Sequence, residues 1–281
     1  MSLLVVGALH WDVVVEADRL PRLDETLRGH GVAYRFGGKG GNQAVAAARA
    51  GAKVAFAGRI GGDAAGRSMR EELERAGVDV SALQQGAGAS GMSVAILNDA
   101  GDYGAVIVSA ENHAFDVTKI ALPADCQTVL LQNEMMPDVL PACAEAARAQ
   151  GAAVIWNAAP AGGLTASDLA LVGTLIVNRV EAEDILGHPP EADPIAAVAG
   201  LSRLAPQAEI ILTLGADGVA FAEPGGTAVV QPALPVTVRS THGAGDVFVG
   251  TYAASRLRDR TLSQAVADGQ QSAAVHISQI R

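Results

Sequence analysis

The sequence predicts an α/β protein whose core has three layers, a mainly parallel sheet between two layers of helices, with a small β-sheet beside it. Short apolar runs alternate with helical patterns along most of the 281 residues, and parallel strands joined by helices require helices on both faces of the sheet. Two stretches, 11–36 and 90–110, contain strand patterns only. We therefore expect one domain over residues 1–281, in which these two stretches form a lid.

Local patterns predict the elements of the first part of the chain. An apolar run that ends at a glycine is typical of a buried strand, alternation is typical of a half-buried strand, and an alanine-rich run that ends at a glycine is typical of a helix. Pro21 to Asp24 is expected to form a turn, and Asp63 is expected to cap a helix. These signals predict strands at 3–6, 11–16, 26–36 and 54–57 and helices at 43–50 and 63–76.

The same alternation continues through the rest of the chain. Within 90–110, a turn at Gly101 precedes a strand at 106–108. Glycine turns at Thr213 to Gly218 and at Gly225-Gly226 predict a hairpin, with a nucleotide-binding loop as the alternative for the first turn. Further strands are expected at 129–132, 154–157, 175–177 and 210–214, and helices at 137–150, 194–204 and 247–257.

Composition excludes several classes of protein. The chain has 20 Lys and Arg against 30 Asp and Glu, a formal charge of −10, and an acidic chain repels nucleic-acid backbones at long range. Cys126 and Cys143 are too few for a disulfide framework, and the six histidines lack metal-ligand spacing. No apolar run reaches the roughly 18 residues of a membrane span, and no basic leader precedes the first strand. We expect a cytoplasmic protein without nucleic-acid or membrane partners.

A glycine-rich block, Gly37-Gly38-Lys39-Gly40-Gly41-Asn42, is the first candidate site. It is not a Walker A loop, because Ala33 stands where that motif needs its first glycine, and the single Gly7 after the first strand excludes a dinucleotide fingerprint. The block allows a polar ligand to approach the backbone, with Lys39 and Asn42 as donors at a helix start. The alternative is a flexible loop capped by Asn42.

A second block, Gly243-Ala244-Gly245-Asp246, precedes the last predicted helix. Small residues leave the first N–H groups of a helix accessible, and the positive end of the helix dipole favours an anion there. Asp246 has the chemistry of a general base for an attacking hydroxyl. The alternative role for Asp246 is a stabilising acid in the first turn of the helix.

Other candidates follow predicted strands, where ligands bind in open parallel sheets. Asn178 and Glu181 are spaced like a capping box, and they are also candidates for holding hydrated Mg²⁺ and phosphates. Asp12 and Glu134 are single carboxylates near strand ends. Either is suited to accept hydrogen bonds from sugar hydroxyls, and either is also compatible with a solvated loop charge.

Together these motifs resemble the ribokinase-like, or PfkB, family of sugar and nucleoside kinases, and the glycine block is most similar to that of ribokinases. The resemblance extends over nearly the whole chain, from about Leu3 to Val275. The segments that carry it are Gly7 to Asp12, Gly37 to Ala44, Gly61-Gly62-Asp63, Asn178 with Glu181, Thr213 to Gly218 and Gly243 to Asp246.

The resemblance implies a sugar kinase that transfers the γ-phosphoryl group of ATP to a primary hydroxyl, most simply of ribose or a related pentose. Asp246 would be the base, and the N–H groups of Gly243, Ala244 and Gly245 would stabilise the transition-state charge. Glu181 would act on Mg²⁺ through water. The sugar would be held by Asp12, Gly38, Lys39, Asn42 and Glu134, and the nucleotide site would be lined by Asn178, Thr213, Gly215, Gly218 and Gln270.

Three departures from the family pattern affect this interpretation. Ser240 replaces the aspartate that helps to hold a monovalent cation in ribokinases, and the chain stops at Arg281, before a Gly-Ala-x-x-Ser-x-Pro segment that completes the cation site, so a role for such a cation is doubtful. His10 and Trp11 precede Asp12 where ribokinases carry small or amide side chains. Two alternatives therefore stay open, a nucleoside kinase in which Trp11 stacks on a base, and a catalytically weak sugar-binding or regulatory protein.

The lid also predicts a partner. Val13 to Val15 and Ala105 to Val108 are apolar on both alternating faces, which is unfavourable for a sheet with one exposed face. In many members of the family that the sequence resembles, two lids pair across a two-fold axis. We expect a homodimer joined through the lid.

Overall fold

The structure is a computed structural model that describes residues 1–98, 103–188 and 193–279. Its strands form one nine-stranded sheet and one four-stranded sheet. The strands are β1 (Ser2–Val6), β2 (His10–Glu16), β3 (Gly31–Gly37), β4 (Val54–Gly61), β5 (Leu83–Gly86), β6 (Met92–Leu97), β7 (Tyr103–Val108), β8 (Cys126–Gln132), β9 (Ala153–Asn157), β10 (Thr174–Asn178), β11 (Glu209–Thr213), β12 (Val219–Ala222) and β13 (Val229–Gln231).

Helices cover both faces of the large sheet. They are α1 (Lys39–Arg49), α2 (Ala64–Arg75), α3 (Val139–Ala149), α4 (Ala166–Leu169), α5 (Arg179–Leu186), α6 (Pro194–Leu204), α7 (Ala244–Arg256) and α8 (Leu262–Ser278). Short 3₁₀ turns lie at Ala110–Ala114, Val117–Lys119 and Gly215–Asp217.

The large sheet has the strand order β13-β12-β11-β10-β9-β8-β1-β4-β5. Every neighbouring pair from β11 to β5 is parallel, whereas β12 and β13 are antiparallel additions at one edge. The carboxyl ends of the seven parallel strands therefore meet at one edge of the sheet, where ligands bind in folds of this type.

The alternation of side chains along the strands produces two cores. In β1, Leu4 and Val6 face the core formed with α3, α5 and α6, while Leu3 and Val5 face the core formed with α1, α2, α7 and α8. All four side chains are fully buried. This arrangement confirms the predicted three layers.

The two strand-only stretches form the four-stranded sheet, in the order β3-β2-β6-β7. Strand β2 pairs with β3 antiparallel and with β6 parallel, and β6 pairs with β7 antiparallel. The predicted small sheet is confirmed, whereas its action as a lid and the division of the chain into one domain stay predictions.

Several predicted bounds were wrong. The strand predicted over 26–36 begins only at Gly31. The turn predicted at Gly101 lies outside the described residues and stays a prediction. The helix predicted over 43–50 begins at Lys39, and the helix predicted from Val247 begins at Ala244. Both helices start inside their glycine blocks, because tertiary packing outweighs the low helix propensity of glycine. Strands β5 and β13 and helices α4 and α8 were not predicted, and α5 was predicted only through the capping box at its start. In the three ranges that the structure describes, no helix is both long and apolar enough to span a membrane.

Candidate active site

Four polar residues end adjacent strands at the carboxyl edge of the large sheet. Gln132 of β8 lies beside Asn157 of β9, and Asn178 of β10 lies beside Thr213 of β11. Gln132 and Asn157 are buried, as is the carboxylate of Glu181 one helical turn after Asn178. Burying polar groups is unfavourable unless they are hydrogen-bonded. A cluster of buried polar side chains at the edge where ligands bind in such sheets therefore indicates a candidate site.

Helix α1 brings the glycine block to this edge. Gly38 is the N-cap residue, and the backbone N–H of Lys39 donates a hydrogen bond of 2.7 Å to Glu134 Oε2. Asn42 lies inside the helix, so the alternative in which it caps a flexible loop was wrong. Its side chain instead donates to Asp246 Oδ2 at 3.2 Å. The block therefore connects Glu134 with Asp246.

The second block forms the start of α7. Gly243 is the N-cap residue and has a φ of 75°, in the left-handed region that favours glycine. The N–H of Ala244 is bonded to the carbonyl of Thr241 at 3.2 Å. Within the described part of the chain, the N–H groups of Gly243 and Gly245 have no acceptor. A Cβ on Gly245 would meet no atom within 4 Å apart from its neighbours in the chain and the backbone of its own helix. The structure thus leaves two of the three predicted donors accessible and engages the third.

Asp246, in the first turn of α7, is buried at this junction. Its Oδ1 accepts a hydrogen bond of 3.0 Å from Gln43 Nε2, and its Oδ2 accepts the bond from Asn42. Burial raises the pKa of Asp246, while the positive charge of Lys39 and the two amide donors oppose that rise. A carboxylate held in this way is oriented and is a stronger base than an exposed aspartate.

The positive charge of Lys39 acts on three buried or half-buried carboxylates. Its charge lowers the pKa values of Glu134, Glu181 and Asp246, against the larger effect of burial. No carboxylate oxygen of the described residues lies within 4.0 Å of its ammonium nitrogen. The lysine is therefore positioned to contact an anionic group without first breaking an ion pair.

Glu134 is a second carboxylate whose pKa is raised by burial. Burial raises its pKa to about 7, and the negative charges of Asp246 and Asp12 add to that rise. The Lys39 N–H, which donates to the carboxylate, opposes it. Glu134 is thus close to half-protonated near neutral pH, so a polar ligand that donates hydrogen bonds to it would favour the ionised form.

Asp12 joins the site from the four-stranded sheet. Its Oδ1 accepts a hydrogen bond from the Ser93 hydroxyl of the adjacent strand β6. Trp11 lies on the opposite face of β2, because successive residues of a strand alternate between faces, and it packs against the core beneath α1 and α7. The side chain on which the nucleoside-kinase alternative depended therefore does not share the face of Asp12.

Asn178 and Glu181 form a capping box at the start of α5. The Asn178 side chain accepts from the Glu181 N–H at 3.0 Å, and the Asn178 N–H donates to Glu181 Oε2 at 2.7 Å. Asn178 Nδ2 also donates to Glu181 Oε1 at 2.9 Å. The structural interpretation of this spacing is confirmed, and it leaves carboxylate lone pairs available. A single buried carboxylate fits water-mediated contact with Mg²⁺, which retains several of its waters.

The remaining candidates for nucleotide binding lie beyond β11. Gly215 and Gly218 form the turn of the predicted β11–β12 hairpin, which is confirmed, and Gly215 faces open space. Gln270 of α8 is buried, and its Nε2 donates to the carbonyl of Pro232 at 3.1 Å. Thr213 Oγ1 donates to the carbonyl of Val177 at 3.3 Å. These side chains are bonded to nearby protein groups, so mainly backbone groups are left for a ligand.

Sequence reasoning missed four residues of this site: Gln43, Ser93, Gln132 and Asn157. Gln132 and Asn157 follow the same rule that selected other strand-end residues, and their strand ends were predicted. Gln43 lies in the glycine block, next to Asn42. Ser93 has no signal in the sequence, since its contact with Asp12 depends on the register between β2 and β6.

A buried carboxylate beside accessible N–H groups at a helix start is suited to remove a proton from a hydroxyl while negative charge develops nearby. The chain belongs to the pfkB family of carbohydrate kinases, whose pattern matches residues 1–280. It is therefore a ribokinase-like phosphotransferase with an alcohol group as acceptor.

Individual relatives agree with this assignment. The chain is 31% identical to ribokinase of Haemophilus influenzae, over 99% of this chain and 92% of that protein. It is 28% identical to deoxyribokinase of Salmonella typhimurium, over 90% of this chain and 85% of that protein. Its structure is similar to that of Arabidopsis thaliana ribokinase complexed with ribose and ATP, with a TM-score of 0.90 and 25% identity over 100% of this chain and 93% of that one. The ribokinase fold predicted from the sequence is confirmed.

Proposed function

We propose that this protein transfers the γ-phosphoryl group of ATP to a primary hydroxyl of ribose or a closely related pentose. The observation that carries the proposal is the position of Asp246, whose two oxygens are held by amide donors of α1 while accessible N–H groups begin α7 beside it. The relatives named ribokinase and deoxyribokinase support a pentose as the acceptor.

In this mechanism the ionised Asp246 accepts the proton of the attacking hydroxyl. The N–H groups of Gly243 and Gly245 and the positive end of α7 stabilise the negative charge of the transferred group. Ala244 was assigned to the same task, and its N–H would first have to leave the Thr241 carbonyl. Most of the catalytic effect then comes from position and charge, as expected for phosphoryl transfer.

The sugar is held on the side of Glu134. Carboxylate oxygens of Asp12 and Glu134 accept hydrogen bonds from sugar hydroxyls, and Asn42 donates from α1. Gly38 and Lys39 form the adjacent backbone, and the Lys39 ammonium supplies positive charge between the acceptor and the donor phosphates. Because Glu134 must accept hydrogen bonds, sugar binding is expected to lower its raised pKa.

ATP occupies the side of β10 and β11, along the turn with Gly215 and Gly218. Asn178, Thr213 and Gln270 line this region, and Glu181 is assigned to Mg²⁺ through water. Bound Mg²⁺ would neutralise negative charge on the phosphates of ATP. A resident monovalent cation is doubtful, because Ser240 supplies a neutral hydroxyl that already accepts from the His242 N–H at 3.3 Å. A cytoplasmic location stays a prediction.

The test of this function is sugar-dependent release of ADP from ATP, measured with ribose, deoxyribose, hexoses, keto-deoxy acids and nucleosides. We expect the fastest turnover with a free pentose and a phosphate ester on its primary hydroxyl, located by phosphorus–proton coupling in NMR spectra. Turnover of nucleosides without turnover of free pentoses would favour the nucleoside-kinase alternative. Sugar binding without ADP release would favour the weak sugar-binding alternative.

We also propose that two copies pair through the four-stranded sheet. Tyr34, Val13, Val94 and Val106 are register neighbours across its four strands and therefore share one face. Val106 is 66% exposed and Tyr34 63% exposed. An exposed apolar row of this kind is unfavourable in a monomer, and a two-fold axis would cover it in both copies at once.

Light scattering tests the pairing. We expect about twice the 28.5 kDa chain mass, and we expect Val106→Asp to reduce it towards the monomer value. Val180→Asp is the matched control, because Val180 is 64% exposed on α5, outside the four-stranded sheet. A monomeric wild-type protein would refute the pairing.

A further inference from the structure

We infer that Gln43 is a positioning residue for the base: it orients the Asp246 carboxylate and stabilises its ionised form without contacting either substrate. This inference rests on the proposed function, in which Asp246 accepts the proton of the sugar hydroxyl. Gln43 lies on the first half of α1 and has no exposed surface, whereas Asn42 beside it is only half-buried.

The first observation is how the two oxygens of Asp246 are held. Gln43 Nε2 donates to Oδ1 at 3.0 Å, and Asn42 Nδ2 donates to Oδ2 at 3.2 Å. Two successive residues of one helix thus fix both ends of the carboxylate and therefore its plane. A carboxylate has about four lone-pair sites, so lone pairs remain for the hydroxyl proton.

The second observation is that the orientation of the Gln43 amide is determined by the protein. Asn157 Nδ2 donates to the carbonyl of Ile176 at 3.1 Å, which turns Asn157 Oδ1 towards Gln43. Gln43 Nε2 donates to that oxygen at 2.9 Å. Both amide hydrogens are then used, one on Asn157 and one on Asp246, and the reversed amide would place an oxygen against two acceptors.

The third observation is the cost of this arrangement. Gln43 Oε1 is buried and has no partner among the residues that the structure describes. Leaving a buried acceptor unpaired is unfavourable, and the two hydrogen bonds that the amide donates, to Asn157 and to Asp246, offset that cost. The unpaired oxygen is explained if the amide is retained for the bond that it gives to Asp246.

Several charged or titratable groups act on Asp246, and they define what Gln43 adds. Lys39 of α1 and His242 before α7 favour the ionised form, while Glu134 after β8 and Glu181 of α5 carry like charge. Gln43, in contrast to these groups, is a neutral donor that contacts the Asp246 carboxylate directly. Its removal should therefore raise the pKa at which the base becomes protonated, without changing the net charge of the site.

The test is the pH dependence of kcat in Gln43→Met, which keeps the length of the side chain and removes the donor. Since the ionised base is the active form, we expect the acidic limb of the profile to move to higher pH by about one unit. At pH values below the limb, we expect kcat of Gln43→Met to be about tenfold lower than that of the wild type. KM for the sugar should change by less than about threefold. A purely structural role would lower the amount of folded protein without moving the limb.

Ser255→Ala is the matched control, because Ser255 is equally buried, lies on the same helix as Asp246 and donates its hydrogen bond to Asp268, outside the site. Its acidic limb should coincide with that of the wild type. A limb that does not move in Gln43→Met, or that moves equally in Ser255→Ala, overturns the inference.

A second variant covers the case in which Gln43→Met does not fold. Gln43→Glu has nearly the same shape and places a second carboxyl beside Asp246, so the limb should move further to higher pH, since two adjacent carboxyls cannot both ionise easily. An unchanged limb in this variant equally overturns the inference. Failure of the proposed function is distinct, because the wild-type protein would then release no ADP with any pentose.

Discussion

The two halves of the site are held together in different ways. On the sugar side, Glu134 and Asp246 are bonded to groups that lie 95 and 204 residues away in the chain. On the nucleotide side, Asn178 is bonded to Glu181 only three residues further on. The carboxylates of the sugar side are thus held by tertiary contacts, whereas Asn178 and Glu181 on the nucleotide side hold each other within one helix cap.

This difference separates two kinds of chemistry. On the sugar side, burial raises the pKa values of Asp246 and of Glu134, the latter to about 7, and these carboxylates are suited to bind hydroxyls and to move a proton. Burial also raises the pKa of Glu181 on the nucleotide side, but both of its oxygens are bonded to Asn178. On the nucleotide side the polar side chains are bonded to the protein itself, and Gly215 opens the backbone to a ligand. Substitutions of side chains should therefore affect the chemistry most on the sugar side.

The largest expected effect is that of Asp246→Asn. Removing the base while keeping the shape should lower kcat by about 10²–10⁴-fold, and sugar affinity should change much less, because the loss falls on the transition state. Steady-state kinetics and calorimetric titration of the sugar measure the two quantities. A variant that keeps more than about a tenth of the wild-type kcat would contradict the role of Asp246.

Glu134→Gln sharpens the comparison by affecting binding and stability in opposite directions. The amide can still accept from Lys39 but loses the charge that attracts sugar hydroxyls, so we expect KM for the sugar to rise by about 10- to 100-fold. The raised pKa of Glu134 means that, between about pH 4.5 and about pH 7, the folded carboxyl keeps a proton that the unfolded chain loses. The wild-type protein therefore loses stability as pH rises through that window.

Glu134→Gln has no carboxyl at this position, so it does not lose stability as pH rises through this window. Its free energy of unfolding, relative to the wild type, should increase by up to about 3 kcal/mol between pH 4.5 and pH 8. Urea unfolding at the two pH values measures this change. A difference that does not depend on pH would mean that Glu134 is ionised in the folded protein throughout the range.

On the nucleotide side, Asn178→Ala should act mainly through the helix cap. We expect a loss of about 1 kcal/mol in stability and a KM for ATP raised by only a few-fold. Asn178→Ser is the control, because serine also caps helices well, and it should restore both quantities. If KM for ATP stays high in the serine variant, the amide itself contacts the nucleotide, and the contrast between the two sides is weaker than proposed.

The smallest expected effect is that of K⁺. Ser240 offers no anionic ligand, and its hydroxyl is bonded to the His242 N–H. We expect less than about a twofold change in kcat when K⁺ and Na⁺ are replaced by a bulky organic cation, since a neutral oxygen attracts a monovalent ion weakly. Several-fold activation by K⁺ would show that other oxygens hold the ion.

The sequence predicted local features of the site better than contacts between distant residues. The capping box of Asn178 and Glu181 and the β11–β12 hairpin depend on residues close in the chain, and both were predicted. The start of α1 at Lys39 was missed, because consecutive glycines disfavour a helix locally. In the folded protein, a Cβ on Gly40 would approach the backbone of Gly7 to 2.8 Å, so close packing of α1 on β1 requires glycine there.

The partners of Asp246 show the limit of prediction most clearly. The carboxylate and its glycines were identified from a short motif, but its donors come from α1, about 200 residues earlier. Nothing in the sequence reports which rotamer Gln43 adopts or that Asn157 orients it. Such contacts depend on the packing of α1 against α7 and on the order of the strands, which exist only in the folded chain.

The most direct test of this account is the pH profile of kcat for the wild-type protein beside that of Asp246→Asn, with saturating pentose and ATP. If Asp246 is a base whose pKa is raised by burial, the wild-type kcat falls on the acidic side as the carboxylate becomes protonated, and it is constant at higher pH. The residual turnover of Asp246→Asn then lacks this acidic limb. An acidic limb that persists unchanged in Asp246→Asn would contradict the account, because the group that limits turnover would be another one.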